Sequence, residues 1–138
     1  MPAEIRLKVK KRVRLVTTAD KEQHKTQAVP IRDIVLRRKL SGFAAQAFSS
    51  AGVSDYARLD MIMAQGTLYA IEINGLPMIP DKWFEACAQG VQMTEDQYLN
   101  AIFLSCILRK QAEGKDIQVP VEMRRILPRQ VLTSLGCG

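Results

Sequence analysis

The chain has 138 residues, of which 47% are hydrophobic and 25% charged, values that suit one packed domain and exclude general disorder. Its net charge of +6 sits at one end: residues 1–40 hold twelve Lys or Arg against four acids, residues 41–138 eight against ten. No apolar run approaches the ~20 residues of a membrane span, and the first residues lack the apolar block of a signal peptide, so a cytoplasmic protein without membrane contact is expected.

Residues 4–16 alternate in period two, with Ile5, Leu7, Val9, Val13 and Leu15 on one side and Arg6, Lys8, Lys10, Arg12 and Arg14 on the other. This predicts a strand with a wet, positive face. Such a stripe can serve nucleic acid, an anionic membrane or phosphate-bearing small molecules, or be a solvated face. Residues 17–29 are polar and aperiodic and predict a loop, with His24 as a plain loop residue. From Pro30 to about Ala51 the spacing of Leu36, Leu40, Phe43, Ala47 and Ala51 predicts an amphipathic helix that Gly42 weakens and Gly52 ends.

Residues 56–63 and 67–73 read as two strands joined by a turn at Gln65-Gly66. GLPMIP, residues 75–80, is a Pro-punctuated loop, followed by a short helix over 81–89. Thr94 and Gln97 form a capping-box pattern, and the helix they open, about 95–110, is expected to bury Tyr98, Ile102, Phe103, Cys106 and Ile107. Residues 111–138, with Pro120, Pro128 and an Arg124-Arg125 pair, predict a short strand or helix at best. Cys87, Cys106 and Cys137 are few, odd in number and widely spaced, which argues against a disulfide framework or zinc site. Cys87 and Cys106, set among apolar residues, are expected as core or semi-core thiols.

The hairpin holds the residues with chemistry. Residues two apart in a strand share a face, so Arg58 and Asp60 point together, as do Glu72 and Asn74. The two pairs share one surface only if Asp60 stands opposite Glu72 and Arg58 opposite Asn74. That register requires a three-residue loop (Gln65, Gly66, Thr67) or a Gly bulge, whereas a strict two-residue loop puts Asp60 on the wrong face. Two carboxylates and an amide oxygen on one surface suit Mg²⁺, and a neighbouring guanidinium suits negative charge developing on a phosphoryl group.

YARLDMIM, a turn, and LYAIEINGLP together resemble the metal-binding hairpin of ATP-grasp ligases, in the D-alanine–D-alanine ligase branch. The motif is Arg58-x-Asp60 followed by Glu72-x-Asn74 and Pro77. The resemblance covers roughly residues 30–110 and implies an α+β fold, about half an ATP-grasp fold: a small antiparallel sheet with helices on one side. It divides the chain into a basic strand and loop (1–29), the metal-binding part (30–110) and a C-terminal extension (111–138). It implies that Asp60 holds one Mg²⁺, Glu72 bridges two and Asn74 holds the second, while Arg58 stabilises the transition state that forms an acyl phosphate. ATP would phosphorylate a carboxylate and an amine would displace the phosphate. In the family a loop lysine approaches the phosphates, a role that falls to Lys21 or Lys25.

Two departures stand out. The family loop after Asn usually reads Pro-Gly-Met-Thr with a serine soon after, whereas this chain has Pro77-Met78-Ile79-Pro80 and then Asp81-Lys82-Trp83. The family's N-terminal domain and ATP-holding lobe have no counterpart in residues 1–30, so a second chain completing the fold is one expectation. The sequence-based reading is an ATP- and Mg²⁺-dependent carboxylate–amine ligase portion, incomplete on its own. The alternative is a non-catalytic basic module binding nucleic acid or another polyanion, although the stripe lacks the interleaved aromatics of single-strand binders.

Overall fold

The structure is a computed structural model that describes residues 2–7, 26–79 and 81–137. The described chain is α+β, with two small antiparallel sheets and five helices. Most of the basic stripe, together with His24, Lys21 and Lys25, lies outside the described residues. Arg6 lies within them and pairs with Glu4 at 2.8 Å.

Strand β1, Ala3–Leu7, realises the start of the alternating segment and pairs antiparallel with β2, Thr26–Pro30, in the register Ala3 to Pro30 and Leu7 to Thr26. Two expectations fail here. The end of the polar segment 17–29 is a strand, and Pro30 closes that strand instead of opening a helix. A two-stranded sheet has only edges, where a residue without an N–H is tolerated. The helix opens instead at Asp33, whose carboxylate accepts the N–H groups of Val35 and Leu36, both at 2.9 Å. An aspartate cap satisfies two orphan donors that Pro30 cannot reach.

Helix α1, Ile34–Ser50, buries Leu40, half-buries Leu36, Phe43 and Ala47, and leaves Ala51 as its exposed C-cap. Gly52 follows at φ +68°, the left-handed position expected of a helix stop. Strands β3, Arg58–Ala64, and β4, Thr67–Asn74, form the second sheet as a hairpin. This sheet is separate from β1–β2, so the single sheet of the sequence reading is replaced by two.

Helix α2, Lys82–Gly90, packs on β1–β2 and against α3, Glu95–Ala112. Phe84, Ala86 and Ala88 are its buried residues. The capping box at Thr94 and Gln97 is formed in both directions. Phe103, expected in the core, is 53% exposed, and its neighbour Leu104 is fully buried. The reason lies in the C-terminal segment, which makes two helices, α4, Val121–Ile126, and α5, Arg129–Ser134. Their Met123, Leu127, Val131, Leu132 and Leu135 enclose Leu104 together with Ala101, Ile107 and Leu108. The extension thus supplies one wall of a core and selects which face of α3 is buried. No helix among the described residues is long and apolar enough to cross a membrane.

Candidate functional site

Asp60 stands opposite Glu72 and Arg58 opposite Asn74, so all four occupy one face of the hairpin. The route to this register differs from the one expected. The turn is the strict two-residue form, Ala64 pairing with Thr67, with Gln65 at φ +50° and Gly66 at φ +80°, the conformation of a type I′ turn. Pairing is regular from there to Met61 opposite Ala70. Then Ile71 is extra, and Asp60 meets Glu72. A bulge at Ile71, with no glycine in it, shifts the register by one and brings the two carboxylates to a common side. The turn is tied to α1 by the Lys39 ammonium, which donates to the Gly66 carbonyl at 2.6 Å.

The Arg58 guanidinium reaches both oxygens of Asp60, Nε to Oδ1 at 2.8 Å and Nη2 to Oδ2 at 3.4 Å. Its remaining nitrogen, Nη1, lies 3.7 Å from Oδ2 of Asp81. Asp81 was not singled out by the sequence reading. It is the N-cap of α2, and its Oδ1 accepts the N–H groups of Trp83 at 3.0 Å and Phe84 at 2.7 Å. An aspartate directly before a helical run was the available signal. The Asn74 Oδ1 accepts the Leu76 N–H at 3.1 Å, folding the start of the loop. Glu72 is exposed, and its side chain makes no hydrogen bond or ion pair among the described residues. Pro77 is buried, whereas Leu76 and Met78 on either side of it project outward, 94% and 73% exposed.

The approach to β3 is held from two directions. Arg109 of α3 grips Asp55 with Nε to Oδ1 at 2.8 Å and Nη2 to Oδ2 at 2.6 Å, and also pairs with Glu113. The bidentate guanidinium holds the Asp55 carboxyl below its ordinary pKa, and Lys110 and Arg109 do the same for Glu113. Tyr56 meets Phe84 edge-on with ring centres 6.4 Å apart, and Phe84 meets Tyr98 at 5.1 Å. Burial pushes the Tyr56 and Tyr98 hydroxyls and the Cys87 thiol up, which keeps them protonated at neutral pH. All three cysteines are half-buried, and none forms a disulfide among the described residues.

The donors fit a hard cation. They are two carboxylates and an amide oxygen, and the Asn74 oxygen has a second lone pair beyond the one Leu76 uses. Among the described residues no three His, Cys, Asp or Glu side chains gather as a metal-binding group, so this face offers two carboxylates only, with the remaining ligands to come from the amide, water and phosphate. No family model, curated protein or solved structure matches the chain.

Proposed function

We propose that the chain is the metal-binding C-terminal portion of an ATP- and Mg²⁺-dependent carboxylate–amine ligase of the D-alanine–D-alanine ligase-like, ATP-grasp kind. The observation that supports this reading above any other is the register that puts Arg58, Asp60, Glu72 and Asn74 on one face, through a bulge that no simple hairpin needs. Asp60 and Glu72 would hold one Mg²⁺, and Glu72 and Asn74 a second. Bound there, Mg²⁺ would neutralise phosphate charge. Arg58 then meets the charge that develops on the transferred phosphoryl group, in a site already shaped by α2 and the loop 75–79. The carboxylate oxygen attacks the terminal phosphorus of ATP, ADP leaves, and an amine next displaces phosphate from the acyl phosphate. The groups that would hold the adenine and triphosphate belong to a further lobe or a second chain.

The loop after Asn74 departs from the family pattern, with Met78 where the family has glycine and no serine nearby, so D-alanine is not assigned as the acceptor. The test is a Mg²⁺·ATP titration of the whole chain by calorimetry, beside Glu72→Ala. The wild type binds with saturable heat and the variant loses it. Identical isotherms would remove the metal reading.

A further inference from the structure

Arg58 is shared between two carboxylates, and the sharing is uneven. Asp60 takes two of its nitrogens, at 2.8 and 3.4 Å. The third faces Asp81 at 3.7 Å, within ion-pair range but too long for a hydrogen bond. The Asp81 side chain is 14% exposed, less than half the exposure of Asp60 at 32%. Its Oδ1 is fixed by two helix N–H donors, so its Oδ2 is a stationary acceptor beside a guanidinium that is bonded elsewhere.

A cation that binds Asp60 competes with a guanidinium that already engages both oxygens of that carboxylate, and its charge weakens the guanidinium's hold. Left without another anion, Arg58 would stand as an unpaired positive charge beside a divalent ion. We infer that Asp81 is a positioning residue that takes over Arg58 when a cation engages Asp60. This rests on the metal reading of the hairpin. The guanidinium needs only a short displacement toward Oδ2 for the long ion pair to become a hydrogen bond. Arg58 is thereby kept at the edge of the site, facing the region where phosphate would lie, and the cation binds without an opposing free charge. The arrangement also ties the site to the first turn of α2, so the loop 75–79 is spanned by a polar link as well as by backbone.

The test uses Asp81→Asn, because asparagine caps a helix about as well as aspartate while removing the charge that would receive Arg58. Asp81→Ser serves as a second cap-preserving variant. Mg²⁺ alone is titrated calorimetrically into the full-length wild type, Asp81→Asn, Arg58→Gln and the double variant. The expected result is Mg²⁺ binding about tenfold weaker in Asp81→Asn, at the low end of what partners that orient metal ligands contribute. In the Arg58→Gln background the same substitution should change affinity by less than about twofold. An equal loss in both backgrounds would mean that Asp81 acts as simple negative charge, and the inference falls. Unchanged affinity in Asp81→Asn and Asp81→Ser also overturns it. If the wild type itself binds no Mg²⁺, the metal reading fails and takes this inference with it. That result is distinct from the first two, in which the wild type binds.

Discussion

Replacing Arg58 by glutamine should tighten Mg²⁺ binding, even though Arg58 is the group expected to assist the chemistry. The reasoning starts from competition. In the structure both Asp60 oxygens are engaged by the guanidinium, and side-chain exposures of 29% and 32% mark the pair as partly solvated. A pair of that kind contributes about 0.5–1 kcal/mol, and cation binding must forgo most of it. Glutamine keeps much of the stem but offers only a neutral amide to Asp60. The gain converts to an affinity about two- to fivefold higher at moderate ionic strength, and more at low salt, where removal of a positive neighbour is screened less. Calorimetric titration at two salt concentrations measures both effects. Weaker or unchanged Mg²⁺ binding in Arg58→Gln would refute the idea that Arg58 and the cation contend for Asp60. Under the ligase reading proposed above, the same variant should also lose turnover, separating the residue's cost to binding from its benefit to the transition state.

Other substitutions test the fold around the site. Leu104→Ala, at a fully buried position enclosed by α3, α4 and α5, should cost about 2–5 kcal/mol, read as a lower urea midpoint by circular dichroism; a near-neutral result would mean that the C-terminal helices do not enclose that side chain in solution. Gly42→Ala should stabilise by about 0.5–1 kcal/mol, since an added methyl meets no atom within 4 Å and the position is helical. Acid should loosen the Asp55–Arg109 clamp. Because the folded pKa of Asp55 lies below its ordinary value of 3.8, its contribution is present above that value and fades as pH falls toward the lower, folded one. Asp55→Asn should therefore flatten the stability profile below about pH 4, seen in thermal melts across pH; an unaltered acid limb would place the loss elsewhere.

Much of the hairpin was legible because period-two patterning and turn chemistry are local. The Gln65-Gly66 turn and the approximate strand limits follow from residues near one another, whereas the pairing of Asp60 with Glu72 was one of two registers the sequence allowed. The bulge was not legible, because Ile71 has no property that marks it as the extra residue; only the pairing of both strands reveals it. Caps were read correctly where the full box was present, at Thr94 and Gln97, and missed where a single aspartate did the work, at Asp33 and Asp81. Phe103 and Leu104 show the limit of helical periodicity. Either could face inward, and α4 and α5, distant in sequence, decide it. Asp81 was missed as part of the site for the same reason: its relation to Arg58 spans twenty-odd residues and a loop that pattern reading cannot fold.

The bulge at Ile71 makes the hairpin tolerant of length change in one direction only. Shortening β4 by one residue between the turn and Ile71, or lengthening β3 by one between the turn and Asp60, erases the irregularity and leaves Asp60 opposite Glu72 in a plain ladder. The opposite changes, a residue added to β4 or removed from β3, double the mismatch or slide one strand, and a one-residue slide turns a carboxylate to the far side. Chains that diverge from this one should therefore vary in this hairpin by an asymmetric rule, with β4 contracting or β3 expanding, never the reverse. An insertion after Asp60 that preserved cation binding, beside an insertion after Ile71 that abolished it, would display that rule in a single protein.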